Sequence, residues 1–233
     1  MTPTAPQVIR RLLFILLFIG FTAGIIFYFA IPDKPKAPWD GNPESSLLRL
    51  MEGNARFVKG EMRHQGESVE RRTALSSEQK PFAVIVSCSD SRVPPELVFD
   101  QGLGDLFVIR TAGNLVDSIA LGSIEYAVKH LGVKLIVVMG HENCGVIKAF
   151  LVKEPEHDYI DKLVDIMSNE PEQVAALTAP GDRIDNCVRA NIKHITTLLK
   201  TCEPVLMEKY KSGELKITGA RYDLDKGTVE ITE

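Results

Sequence analysis

Three short runs of branched apolar residues constrain this chain more than anything else in it. Phe82 to Val86 (FAVIV), Leu106 to Ile109 (LFVI) and Leu135 to Met139 (LIVVM) carry no polar residue along their length. A strand with one wet face alternates apolar and polar residues, so uninterrupted runs read as strands buried on both faces, the habit of parallel sheets. Between the second and third runs, Ser118 to Leu131 (SIALGSIEYAVKHL) sets Ile119, Ile124, Ala127, Val128 and Leu131 on one side of a helix. Strand, helix, strand in this order is a βαβ unit, which closes right-handed into a parallel sheet.

Ser45 or Ser46 is placed to cap a helix in which Leu47, Leu50, Met51, Phe57 and Val58 recur at helical spacing, with Asn54 polar but on the same side. Residues 59–80 are polar, and residues 158–178, 183–201 and 203–211 read as helices. Leu215 and Ile217, then Val229 and Ile231, alternate around a turn at Asp225-Lys226-Gly227, which predicts a terminal hairpin. The expected class is α/β: a mainly parallel β-sheet flanked by helices, with a C-terminal antiparallel strand or hairpin, preceded by one N-terminal hydrophobic helix.

That N-terminal segment differs in kind from the rest. After Arg10 and Arg11, the 20 residues Leu12 to Ile31 carry no charge, and at 1.5 Å per residue they span about 30 Å, one bilayer core. An uncleaved anchor fits better than a signal peptide, whose apolar region would be roughly 7–15 residues followed by a small-x-small cleavage site. Tyr28-Phe29-Ala30 puts an aromatic where a small residue belongs. The arginines favour an inside N-terminus, against Lys34 and Lys36 on the other flank, and as a pair they also match the start of a twin-arginine export signal. Four prolines in residues 32–43 make an extended tether. The expected organisation is a transmembrane anchor or signal segment over 1–31, a Pro-rich linker over 32–42 and a folded domain over 43–233. The domain is expected in the periplasm on an inner-membrane anchor, or otherwise exported. A cleaved, soluble periplasmic form and an anchor facing the cytoplasm are the alternatives. A formal charge of -4 gives no electrostatic reason to expect nucleic acid.

Four cysteines are too few for a disulfide scaffold and must be judged by position. Cys88-Ser89-Asp90-Ser91-Arg92 follows the first run directly, and Gly140-His141-Glu142-Asn143-Cys144-Gly145 follows the third. Ligands of parallel sheets gather beyond the carboxyl ends of the strands, so Cys88, His141 and Cys144 are placed to converge. Zinc takes thiolate and imidazole ligands tetrahedrally, and three protein ligands leave a fourth position for water or substrate. A lone cysteine is usually a small buried hydrophobe, and a redox pair is a second reading, but neither accounts for two cysteines and a histidine at strand ends. Asp90 beside Arg92 is held ionised and is then acceptor-only, although outside a metal site the pair would be an ordinary loop salt bridge. Cys187 and Cys202 lie across a predicted helix, about 22 Å apart by helical rise, where a disulfide needs roughly 7 Å or less. They are expected in the core and at a helix end.

CSDSR, FVIRTAGN (Phe107 to Asn114), IEYAV (Ile124 to Val128), GHENCG and LKITGARYDLDKGTVEI (Leu215 to Ile231) together strongly resemble the β-class carbonic anhydrases, over roughly residues 43–232. The resemblance implies one Zn2+ per chain on Cys88, His141 and Cys144, with Asp90 and Arg92 as the catalytic dyad. It implies a substrate pocket lined by Gln79, Phe107, Ala112, Tyr126 and the backbone N–H of Gly145, with Ala112 standing where some relatives have valine. The implied reaction is reversible hydration of carbon dioxide to bicarbonate and a proton by attack of zinc-bound hydroxide. At lower pH the resemblance implies an inactive form in which Asp90 takes the fourth zinc position. Ile85 stands where some bacterial relatives use a tryptophan to hold inhibitory bicarbonate, so that pocket is not expected. His64, His130 and His194 are conceivable proton shuttles, and the sequence selects none. Relatives that hydrolyse carbonyl sulfide or carbon disulfide keep that activity as an alternative. A catalytically silent zinc-binding module is another, although loss of Asp90 or Arg92 would be its sign. A homodimer or dimer of dimers is implied, with the helix at 45–58 packing on the neighbour and the neighbour's residues completing the pocket.

Overall fold

The structure is a computed structural model that describes residues 40–152 and 158–232. The hydrophobic segment and Trp39 lie outside the described residues, and among the described residues no helix is long and apolar enough to cross a membrane. The three apolar runs form β1 (Ala83–Cys88), β2 (Leu106–Thr111) and β3 (Leu135–His141), joined by β4 (Lys216–Tyr222) and β5 (Val229–Ile231) in a sheet of order β2-β1-β3-β4-β5. The first four strands pair in parallel, and β5 returns antiparallel to β4, as the expected hairpin. β2 and β3 are not neighbours: each pairs with β1, so the helix between them, α4 (Ser118–His130), carries the chain across β1.

β1 and β3 are buried at every position, and strand periodicity divides their side chains between two cores. Ala83, Ile85, Leu135, Val137 and Met139 face one side, where they meet Leu50 of α1 (Pro43–Lys59), Phe99 after α3 (Pro95–Val98), and Ile147 and Phe150 of α5 (Gly145–Val152). Val84, Val86, Ile136 and Val138 face the other, with Ala120, Ile124, Ala127 and Val128 of α4 and Leu206 of α9 (Val205–Lys211). The short α2 (Val69–Ala74) lies in the polar stretch before β1. Full burial of each such aliphatic side chain contributes about 1.5–3 kcal/mol.

The long α8 (Arg183–Thr201) reaches both cores, through Val188 and Ile192 on one side and Ile195 and Leu199 on the other. It lies so close to β3 that a Cβ on Gly140 would come within 2.7 Å of Ile192. Asp185 and Arg189 of α8 pair with Arg221 and Glu230, tying the helix to β4 and β5. Asn54 explains its place among apolar residues. Buried in α1, its amide donates to the Val98 and Gly227 carbonyls at 3.1 and 2.8 Å and accepts the Val229 N–H at 2.9 Å.

Two boundaries differ from the sequence reading. Neither Ser45 nor Ser46 caps α1: Asn42 does, its side chain accepting the Glu44 N–H at 2.9 Å, with Pro43 in the first turn where a missing N–H costs nothing. The expected helix over 158–178 is two, α6 (Tyr159–Ser168) and α7 (Pro171–Ala176), because Pro171 drives the residue before it out of helical geometry. That residue, Glu170, is 3% exposed, and neither carboxylate oxygen has a hydrogen-bond partner. His194 Nε2 lies 3.9 Å away, while its Nδ1 donates to Glu172 at 2.9 Å. Burial pushes Glu170 up to about 7, against the pull of His194. An acid whose folded pKa is raised stabilises the fold below its unfolded value and loses that contribution as pH climbs through the folded one. Glu170→Gln is therefore expected to be on the order of 2 kcal/mol more stable than the parent at pH 8 and nearly equal to it at pH 4.5. Denaturant titrations at the two pH values check this, and a pH-independent difference would contradict it.

Candidate metal centre

Cys88 ends β1 and His141 ends β3, so the pairing of these strands brings the two to one corner of the sheet, and the turn after β3 adds Cys144 immediately before α5. The two sulfurs and one imidazole nitrogen lie within 4.8 Å of one another, and all three side chains are buried. The His141–Cys144 connection turns at Asn143, whose φ of 56° puts it in the left-handed region that asparagine tolerates.

The tautomer of His141 follows from its partner. Nδ1 lies 2.8 Å from the Glu142 carbonyl, which only accepts, so Nδ1 carries the proton and Nε2 presents a lone pair. Nε2 is buried with no hydrogen-bond partner, an orphan that a metal ion would satisfy. Cys88 Sγ accepts the N–H groups of Asp90 and Gly113, each at 3.4 Å. Contact with the Cys144 thiol is the largest influence lowering the Cys88 pKa. The same contact, followed by burial, pushes Cys144 up, while the Val146 and Ile147 N–H groups at the start of α5 pull it down. Removing the second proton is thus the difficult step, and a bound dication is what makes two adjacent thiolates tolerable. The residues fit a soft divalent metal.

Asp90 sits beside this cluster, its Oδ2 3.9 Å from His141 Nε2. Arg92 grips it three times: its N–H and Nε donate to Oδ1 at 2.9 Å, and Nη2 donates to Oδ2 at 2.7 Å. The Arg92 side-chain hydrogen bond, opposed by burial, holds the Asp90 carboxyl well below the usual carboxylate range. Ala112 and Gly145 are exposed next to Gly113 and Cys144.

Gln79, Phe107 and Tyr126 are elsewhere. Gln79 and Tyr126 line an open groove of about 560 Å³ with Leu75, Lys80 and His130, and none of the cluster residues borders it. The Phe107 ring lies 6.4 Å from that of Tyr126. Phe107 precedes Thr111, the register partner of Cys88, by four residues, about 13 Å of strand. One chain does not bring these three residues to the cluster. His130 stacks 5.2 Å from Tyr126, and His64 pairs with Glu67 at 3.3 Å. Cys187 is fully buried and Cys202 ends α8, both as free thiols.

Arg110 is a site residue that the sequence does not single out. Arg110 of β2 donates from Nε to the Cys88 carbonyl at 3.0 Å and from Nη2 to the Asp90 carbonyl at 2.6 Å, clamping the loop that carries ligand and acid. Its sequence signals are a charge at the end of an apolar run and its place inside FVIRTAGN.

A mainly parallel sheet with a Cys–His–Cys cluster and a locked aspartate beyond its strand ends presents a donor set that could hold a metal ion. A family profile described as carbonic anhydrase matches residues 83–229. Carbonic anhydrase 2 of Mycobacterium tuberculosis is 42% identical over 194 residues, 82% of this chain and 94% of the relative. Among solved structures, the β-carbonic anhydrase CcaA is 29% identical with a TM-score of 0.65, covering 80% of this chain and 95% of its own. A tetrameric β-carbonic anhydrase of Sordaria macrospora is 27% identical with a TM-score of 0.62, covering 81% and 96%. The chain belongs to the carbonic anhydrase family, in its β class.

Arg110→Met removes both clamps without touching a candidate ligand. Metal retention against a competing chelator is expected to fall about ten-fold, the lower end of what loss of an outer support costs a metal site. Unchanged retention would mean that the loop holds its own shape.

Proposed function

We propose that this chain catalyses the reversible hydration of carbon dioxide to bicarbonate and a proton, with one zinc ion per chain held by Cys88, His141 and Cys144. The observation that carries the reading is the buried, unpartnered His141 Nε2 with an arginine-locked Asp90 3.9 Å away. Zinc in this site supplies the Lewis acidity that lets water ionise near neutral pH. Asp90, ionised and acceptor-only, would accept an O–H hydrogen bond from a water held at this site and so fix its orientation. Arg92 fixes the carboxylate for this task. The Gly145 N–H, in the first turn of α5, is a donor for an oxygen of the product, and the small Ala112 leaves the approach open.

Gln79, Phe107 and Tyr126 enter the site from a second copy of the chain. This accounts for an aromatic and amide cluster that one chain leaves in a surface groove, where Tyr126 is 49% exposed. A homodimer is the minimum assembly that completes the pocket.

The purified full chain is expected to contain about one zinc and to hydrate carbon dioxide. Cys88→Ser should lose metal and activity together. Asp90→Asn should keep its metal while the rate falls about a hundred-fold, the lower end of what losing one positioned hydrogen-bonding group costs. Zinc without hydration would transfer the reading to hydrolysis of carbonyl sulfide or carbon disulfide, or to a binding module.

We infer further that Leu12 to Ile31 anchors the domain in the inner membrane, with the domain exported. The support is twenty uncharged residues behind Arg10-Arg11. The protein should stay with membranes through alkaline extraction and be cut by protease added to spheroplasts. Release by alkali would instead indicate cleavage, and protection from protease a domain facing the cytoplasm.

A further inference from the structure

Asn191 is a buried polar residue in the middle of α8, 2% exposed, with no place in the dyad or the cluster. Its amide donates to the Gly113 carbonyl at 2.8 Å, a buried bond that spans 78 positions of sequence. Gly113 lies in the turn Ala112–Asn114 that follows β2, and its own N–H donates to Cys88 Sγ at 3.4 Å. The turn needs Gly113 in the left-handed region, at φ 67° and ψ 20°, and a Cβ there would stand 3.1 Å from Val146.

A glycine moves easily between backbone regions, so the direction of its N–H is only as fixed as the bonds around it. Thr111 closes the turn from its outer side by donating from Oγ1 to the Leu115 carbonyl at 2.6 Å. Asn191 holds the residue that touches the sulfur. Isolation from water makes that bond rigid, since neither partner has solvent to turn to.

We propose that Asn191 is a positioning residue of the metal centre: through the Gly113 carbonyl it keeps the Gly113 N–H on the Cys88 sulfur. The sulfur that accepts this N–H is a better-stabilised thiolate, and an outer-shell support of this kind is worth ten- to a hundred-fold in metal affinity. The inference rests on the assignment of Cys88 as a metal ligand, and it adds a residue from a helix that contributes no ligand.

The test uses the full chain carrying Asn191→Ala, Asn191→Leu, which fills the volume without a donor, and Leu199→Ala as a control that weakens the same helix away from the centre. Zinc loss to a chelator is expected to be about ten-fold faster in both Asn191 variants and unchanged in the control. In cobalt-substituted protein, loss of the N–H donor should move the sulfur-to-metal charge-transfer band to longer wavelength in the Asn191 variants alone. Parental zinc retention and an unshifted band in Asn191→Leu would overturn the proposal. So would equal effects in the control, or failure of both Asn191 variants to fold while the control folds, because each makes Asn191 a plain structural anchor. Parent protein that binds no metal would instead remove the assignment of Cys88 on which the proposal rests.

Discussion

Two cysteine sulfurs and an imidazole nitrogen within 4.8 Å of one another, on side chains no more than 5% exposed, are an arrangement that a chain must be built to sustain. Two thiolates at that separation repel by on the order of 3 kcal/mol at an effective dielectric of 20, and each has also lost its hydration. Much of the surrounding backbone answers that cost. Cys88 receives the Asp90 and Gly113 N–H groups, and Cys144 lies where the Val146 and Ile147 N–H groups favour its ionised form. A hydrogen bond to a charged group contributes about 1.5–3 kcal/mol, so the two that Cys88 accepts are of the size of that repulsion.

The parts of the fold that were legible in the sequence are those where burial on both faces leaves no ambiguity. β1 and β3 are apolar throughout because both faces are covered, and their ends carry the polar residues that mark the site. Cys88, His141 and Cys144 were readable for the same reason: ligands need particular elements, and those elements exist in only a few side chains. Helix ends were harder. Asn42 and Ser45 are both good caps, and only Pro43 at the first helical position decides between them. Arg110, Gly113 and Asn191 were not legible as site residues because each acts through a backbone N–H or carbonyl, and backbone groups are present at every position. Asn54 was visible as a polar residue on an apolar face, but its partners at Val98, Gly227 and Val229 depend on long-range packing that no local pattern encodes.

Gln79, Phe107 and Tyr126 mark a different limit. Their identities follow a family pattern, yet β2 register puts Phe107 about 13 Å from the strand end that meets Cys88. A sequence position names a role without naming the chain that performs it. On the proposed reading, the separation of this aromatic groove from the Cys–His–Cys corner within one chain calls for a second copy, and assembly would then be part of the site instead of an addition to it.

Within the chain, α8 also braces the corner. Asn191 and Ile192 are adjacent, and at helical spacing they point about 100° apart. One holds the turn that donates to Cys88, and the other lies against Gly140, the residue before His141. A single turn of helix therefore fixes the end of β1, through the Gly113 turn, and the end of β3 directly. Asp185 and Arg189, from about half a turn to nearly two turns earlier, bind Arg221 and Glu230, so the helix cannot slide along the sheet without breaking ion pairs at its N-terminal half. Were β1 and β3 free to shift by one residue, about 3.3 Å, the sulfur and imidazole would separate by more than any metal bond tolerates. The helix contributes no candidate ligand, and it braces the register that the β1–β3 pairing sets.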